Sequence, residues 1–148
     1  MSLQHIGQVS ELFISLKDSS NRVSKTSLSL DTYGIKEDKY YNTNINRSVL
    51  ITSISSYHIA LENCITMPFG SLGENLLIDY NPYHLAPGTK LKIGTVTLEI
   101  SQNCTMCDHL SKIDNMLPTL LQKDRGIFAK VIQEGEIKIE DDLYLVSE

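Results

Sequence analysis

The chain has 148 residues, enough for one domain that buries about 70% of the surface exposed by the unfolded chain. Its formal net charge is −5, and its Lys and Arg residues form no stripe, which argues against a nucleic-acid backbone as the main partner. The three cysteines do not suggest a disulfide framework, and the ends show neither a cleavable signal nor a long apolar run. We therefore expect a cytoplasmic protein with reduced thiols and no membrane partner.

Short strands dominate the prediction, each bounded by Gly, Asn, Ser or Pro. The clearest pattern is the alternation of Val96, Leu98 and Ile100 on one face, and Gly94 suggests a hairpin with the run before it. The last three strands form a second group around the turn at 134–135. Many short strands separated by turns favour a barrel or a sandwich. In chain order the predicted strands are 11–16, 47–52, 75–79, 90–93, 95–100, 127–132, 136–139 and 143–146.

Helical signals are few. Ser55 and Ser56 are placed to cap one short helix, and apolar residues recur at helical spacing over 106–113. A third short helix is predicted over 118–122, because Pro118 is tolerated near a helix start, where its missing N–H has no intrahelical acceptor. The predicted fold is mainly β, with a few short peripheral helices.

Cys104 and Cys107 lie where a predicted strand ends and a helical pattern begins. N–H groups at a helix start favour the thiolate, which is the form of cysteine that acts as nucleophile and metal ligand. Such a pair supports dithiol redox chemistry, zinc binding, or one working thiolate tuned by the other. Zinc needs about four ligands and the redox motif belongs to a βαβ context, so both are less favoured. Polar neighbours argue against simple core packing.

A glycine-containing turn precedes the strand predicted over 75–79. Gly70 and Gly73 bracket this turn, which leads into Glu74 and Asn75. Glycine lets a backbone approach a ligand closely, so the turn is suited to holding an oxyanion. An ordinary turn, with Asn75 bonding its own backbone, explains the pattern equally well.

Two arginines stand at the heads of apolar strands. Arg125 precedes Gly126 and the strand over 127–132, and Arg47 begins the strand over 47–52. A guanidinium group has five donors that suit phosphate or carboxylate. A salt bridge is the simpler explanation for either residue.

Taken in order, these segments resemble the MOSC domain, the family named after the C-terminal part of molybdenum-cofactor sulfurases. The resemblance spans about residues 34–146, and its characteristic cysteine falls on Cys107. Glu37 and Glu140 stand where the family commonly has glycine, and Cys104 replaces a common arginine. The resembling segments are 34–40 for the Gly-x-x-Gly-Asp-Arg-His/Tyr motif, 47–50 for the Arg-led strand, 69–75 for the Gly-x-x-Gly-Glu-Asn loop, 97–107 for the strand before the cysteine, and 125–131 for the Arg-Gly-Ile strand.

The resemblance implies a single domain over 1–148, a short stand-alone member of bacterial type with a β-barrel like that of pyruvate kinase. It also implies a molybdopterin-type molybdenum cofactor, which the protein need not retain on purification. Cys107 would be the metal ligand and would form the catalytic pair with Cys104. The implied cofactor-binding residues are Arg47, Gly73, Glu74, Asn75, Arg125 and Gly126.

Three functions remain open. An oxidoreductase of this family would reduce N-hydroxylated compounds with electrons from a separate reductase, because the sequence has no flavin or nicotinamide fingerprint. A non-catalytic sulfur carrier or cofactor chaperone would hold a persulfide on Cys107 and serve a molybdenum enzyme. A module that binds small anions through the glycine turn is the third hypothesis.

Overall fold

The computed structural model describes residues 2–16, 22–104 and 110–147 of the chain. Over these ranges short strands account for most of the regular structure, as predicted. The helices are α1 (Ile54–Glu62), α2 (Leu110–Ile113) and α3 (Leu117–Leu120), with a 3-10 turn over Ile45–Arg47. The strands are β1 (Ser2–Ser15), β2 (Arg22–Lys25), β3 (Ser27–Asp31), β4 (Gly34–Ile35), β5 (Val49–Ser53), β6 (Leu76–Ile78), β7 (Lys90–Ile93), β8 (Val96–Asn103), β9 (Ile127–Gln133), β10 (Gly135–Lys138) and β11 (Asp142–Ser147).

Within the described residues, seven strands close into a barrel in the order β11-β7-β8-β9-β5-β6-β1, and β1 returns to pair with β11. The long strand β1 makes closure possible because its first half pairs with β11 and its second half pairs with β6 and β2. β5 and β6 run parallel, and the other neighbours in the ring are antiparallel. β10, β3 and β4 form a separate small sheet. The predicted β-barrel is confirmed.

The inside of the barrel is filled by side chains. Val96, Leu98 and Ile100 alternate inward along β8, and each is at most 1% exposed. Because inward residues of the other strands are buried in the same cluster, the centre of the barrel is a packed core. A second apolar cluster lies among α1, α2 and α3.

The hairpin predicted over 90–100 is confirmed, because β7 and β8 pair antiparallel. The predicted grouping of the last three strands is wrong. β10 pairs with β3, whereas β9 pairs with β8 and β5. The hydroxyl of Thr95, in the β7–β8 turn, accepts a hydrogen bond from the N–H of Glu136 at 2.8 Å. This bond holds β10, a strand of the small sheet, against that turn.

The N-terminal strands were largely missed, since the prediction began at residue 11 and β1 begins at Ser2. The pairing register of β1 shifts between His5 and Gly7 and again between Val9 and Glu11. Each shift changes which residues face inward, so the two-residue alternation that identifies a strand is interrupted.

The helices lie close to their predicted positions. α1 is capped by Ser53, whose hydroxyl accepts from the N–H of Ser55 at 3.1 Å, so the cap is earlier than predicted. α3 carries Pro118 in its first turn, as expected. The pattern predicted over 106–113 is described only from Leu110, because 105–109 lie outside the described residues.

Candidate functional site

A cavity of about 310 Å³ lies on the barrel wall, beside the end of β8 and the starts of β2, β5, β6 and β9. Its volume falls at the small end of the range for small-molecule sites, about 300–1,000 Å³. Five of the residues singled out in the sequence line it: Arg47, Gly73, Asn75, Cys104 and Arg125. Arg22, from the start of β2, also lines it and was not predicted.

The predicted metal ligand, Cys107, lies outside the described residues, since these stop at 104 and resume at 110. Cys104 follows β8, is 5% exposed and lines the cavity. Its N–H donates to the carbonyl of Gly126 at 3.0 Å, which fixes the chain at the start of this segment. Cys104 therefore lies at the cavity wall, directly after the end of β8.

The glycine turn is anchored to α1. Gly70 and Gly73 have φ of 95° and 83°, values that favour glycine. The hydroxyl of Tyr57 accepts from the N–H of Gly70 at 3.1 Å and donates to Glu74 Oε2 at 2.5 Å. Thr52 donates to the same carboxylate oxygen at 2.7 Å. Glu74 is fully buried and does not line the cavity. Its bonds to Thr52 and Tyr57 fix the end of the glycine turn.

Asn75 uses its carboxamide to join two strands. Its oxygen accepts from the N–H of Leu50 at 3.0 Å, and its nitrogen donates to the carbonyl of Phe13 at 3.2 Å and to Asp38 at 3.4 Å. Because β1 and β5 flank β6 in the barrel, these bonds tie the loop before β6 to both neighbours. Asn75 thus both lines the cavity and holds its wall together.

Arg125 is 4% exposed and donates from Nη1 to the carbonyl of Leu72 at 2.9 Å, which links the start of β9 to the glycine turn. Gly126 has φ of 150°, and a Cβ there would lie 2.9 Å from Leu50 Cδ1 and 3.6 Å from Cys104 Cβ. The missing side chain thus leaves room for the side chain of Leu50.

Arg47 sits over an aromatic ring, with its guanidinium carbon 4.6 Å from the centroid of Phe128. This cation–π contact holds the charged group at the cavity wall. Burial lowers the pKa of Arg22, although the charges of Asp38 and Glu74 oppose that effect. Arg22 nevertheless keeps its charge at neutral pH, since a guanidinium group is not deprotonated in proteins.

The cavity is electropositive in a chain whose formal net charge is −5. Three guanidinium groups line it, and none of the Asp or Glu residues in the described part of the chain does. A recess with one sign of charge and low-dielectric walls concentrates ions of the opposite sign. The site is therefore suited to an anionic ligand.

The side chains that line the cavity fit a metal that is carried by an organic cofactor. In the described ranges, no group of three or more His, Cys, Asp and Glu side chains is placed to hold an ion. Cys104 provides a soft sulfur atom at the wall, and soft thiolates suit metals of that character. Arginine donors beside a sulfur atom fit a molybdenum cofactor, which carries both anionic oxygens and a metal.

Together these features define a small β-barrel protein with a wall cavity that is lined by three arginines and Cys104. The family model described as MOSC domain matches residues 37–144. The chain therefore belongs to the MOSC domain family, and the resemblance noted in the sequence is confirmed. No curated protein matches the chain.

Solved structures share this fold at low sequence identity. YuaD from Bacillus subtilis superposes with a TM-score of 0.85 at 16% identity, covering 99% of this chain and 100% of that one. YiiM from Geobacillus stearothermophilus gives 0.66 at 15% identity, covering 99% and 76%. YiiM from Escherichia coli superposes with a TM-score of 0.66 at 19% identity, covering 95% of this chain and 70% of that one.

Across the described residues of this chain, none of the helices is long and apolar enough to cross a membrane.

Proposed function

We propose that this protein binds a molybdopterin-type molybdenum cofactor in the arginine-lined cavity, in a cytoplasmic setting that keeps its thiols reduced. The observation that carries the proposal is that Arg47, Arg125 and Cys104 line one cavity with no carboxylate from the described residues. The cofactor's phosphate needs fixed N–H donors, and its metal accepts a thiolate.

Each side chain has a distinct task in this proposal. Arg125, held by the carbonyl of Leu72, places a fixed positive charge at the cavity wall. Arg47, held over Phe128, provides a second charge on the same wall. Cys107 provides the metal-directed thiolate, and Cys104, three positions earlier, modulates that thiolate from the cavity wall.

When bound, the cofactor would supply redox chemistry at its metal. We propose that the reaction is the reduction of N-hydroxylated compounds, with electrons delivered by a separate reductase. The chain's own contribution is to bind the anionic groups and to shield the metal side of the cavity. Leu50 and Phe128, both 8% exposed and packed with Cys104, supply apolar surface for that shielding.

The test is metal and pterin analysis of protein prepared without oxygen and loaded with cofactor. We expect wild type to bind molybdenum and pterin in equal amounts and Cys107→Ser to bind less of both. Cys64→Ser is the matched control, because Cys64 is exposed and does not line the cavity. Failure of wild type to take up either component would overturn the proposal. A labile persulfide on Cys107 without cofactor uptake would favour the sulfur-carrier function instead.

A further inference from the structure

Arg22 is a charged residue of the cavity that the functions above do not use. It lies at the start of β2, before the residues 37–144 matched by the family model. Its guanidinium lines the cavity, and its Nη1 atom is buried with no hydrogen-bond partner among the described residues. A buried donor without an acceptor is unfavourable, and such groups in folded proteins call for an explanation.

The neighbouring carboxylates do not provide the missing acceptor. Asp38 accepts from the N–H groups of Ser15 and Tyr40, at 2.8 Å and 3.0 Å. Glu74 Oε2 accepts from Thr52 and Tyr57. Both carboxylates favour the charged state of Arg22 through space. Neither is hydrogen-bonded to Arg22 Nη1, and Glu74 Oε1 is also buried without a hydrogen-bond partner among the described residues.

The glycine turn makes room for this guanidinium. A Cβ at Gly73 would lie 3.2 Å from Arg22 Nη2, tighter than most contacts of that kind. Gly73 also has φ of 83°, so any other residue would be strained there. The absent side chain lets the charged group lie against the turn, whose residues Leu72 and Gly73 also line the cavity.

The three arginines of the cavity are held differently. Arg125 donates to the carbonyl of Leu72, and Arg47 lies over the ring of Phe128. Arg22 keeps a buried, unpartnered Nη1 within the described residues. An oxyanion bound in the cavity would supply the acceptor that the described residues do not give to Arg22 Nη1.

We infer that Arg22 is an anion-binding residue of this cavity, and that it takes a phosphate-type oxyanion against the glycine turn at Gly73. The inference rests on the proposed function in that both use the same cavity as the ligand site. It adds a contact from the N-terminal hairpin, and it requires a ligand with a phosphate-type group at that end of the cavity.

The test is titration of the protein with inorganic phosphate at constant ionic strength, with chloride as the comparison salt. We expect Arg22→Gln to weaken phosphate binding by about tenfold or more, the effect of losing a charge-assisted hydrogen bond. Arg22→Lys should be intermediate, since it keeps the charge and loses the fork. Lys25→Gln is the matched control, because Lys25 carries the same charge on β2 and pairs with Glu37 away from the cavity.

A second readout needs no variant. The side-chain Nε–H resonance of Arg22 in wild-type protein should shift with phosphate and not with chloride. The inference is overturned if that resonance stays in place, if wild type does not bind phosphate, or if Lys25→Gln weakens binding as much as Arg22→Gln.

The outcomes separate this inference from the proposed function. Arg22-dependent phosphate binding in a protein that never takes up cofactor would support the inference and refute the function. Equal cofactor loading of wild type and Arg22→Gln, without a phosphate effect on the Arg22 resonance, would support the proposed function and refute the inference.

Discussion

Two glutamates occupy backbone conformations that normally belong to glycine. Glu37 and Glu140 have φ of 75° and 74°. A residue with a Cβ is disfavoured there by roughly 1–2 kcal/mol. Both side chains are exposed, so no packing accounts for their presence, and the strain is a property of the single position.

We predict that Glu140→Gly stabilises the protein by about 0.5–1 kcal/mol, which is the relieved strain less the greater flexibility of glycine in the unfolded chain. The N–H of Glu140 donates to the carbonyl of Val9 at 2.9 Å, and this backbone bond is retained in the variant. Chemical denaturation measures the change. Glu140→Ala removes the same charge and keeps the strain, so an equal gain in that control would contradict the explanation.

Packing between elements explains why the glycine turn is held in one conformation. The turn before β6 is tied to α1 through the hydroxyl of Tyr57. The ring of Tyr57 also packs edge-on against Phe69, with 5.1 Å between the ring centroids. Burial raises the pKa of Tyr57, so its hydroxyl remains a donor to Glu74 well into the alkaline range. The helix thus positions a cavity wall without lining the cavity itself.

We predict that Tyr57→Phe destabilises the protein by about 1–3 kcal/mol, because it leaves the N–H of Gly70 and one oxygen of Glu74 short of a buried partner. Denaturant unfolding measures the loss. Tyr33→Phe is the control, since Tyr33 is 54% exposed, and its stability should stay near that of wild type. If both variants unfolded at the same denaturant concentration, the anchoring role of α1 would be wrong.

Across the whole barrel, closure depends on the pairing of the two ends of the chain. β1 and β11 pair from Ser2–Ser147 to Gln8–Asp142. Side chains reinforce this seam, because Asp142 accepts from Gln8 at 3.3 Å and bonds His5 Nε2 at 2.9 Å. The hydrogen bond from His5, followed by the one from Gln8, lowers the pKa of Asp142 from its ordinary value of 3.8.

A lowered folded-state pKa means that the stabilisation is present above the unfolded value of 3.8 and is lost as the pH falls through the folded value. We therefore predict that Asp142→Asn is less stable than wild type at neutral pH and that the difference disappears in strong acid. Thermal unfolding between about pH 2 and pH 7 measures it. Glu136→Gln, an exposed carboxyl on β10, is the control. A difference that stayed constant with pH would refute the role of the carboxylate.

Local pattern was sufficient for much of this protein. The alternation in β8, the turn at Gly94 and the capped start of α1 are properties of neighbouring residues, so β class, hairpin and helices were predictable. The ordered motifs around Gly73, Arg125 and Cys104 marked segments of one cavity. Local pattern failed in β1, whose two register shifts disturb the alternation.

The amino-acid sequence was enough to establish a mainly β protein of the MOSC family, because strand alternation and motif order are encoded along the chain. Three-dimensional packing was needed to bring Arg22 against Gly73, to bury Glu74 behind the glycine turn, and to place the carboxamide of Asn75 between two strands. Those contacts join residues far apart in the chain, and they depend on the register and closure of the barrel, which no local pattern carries.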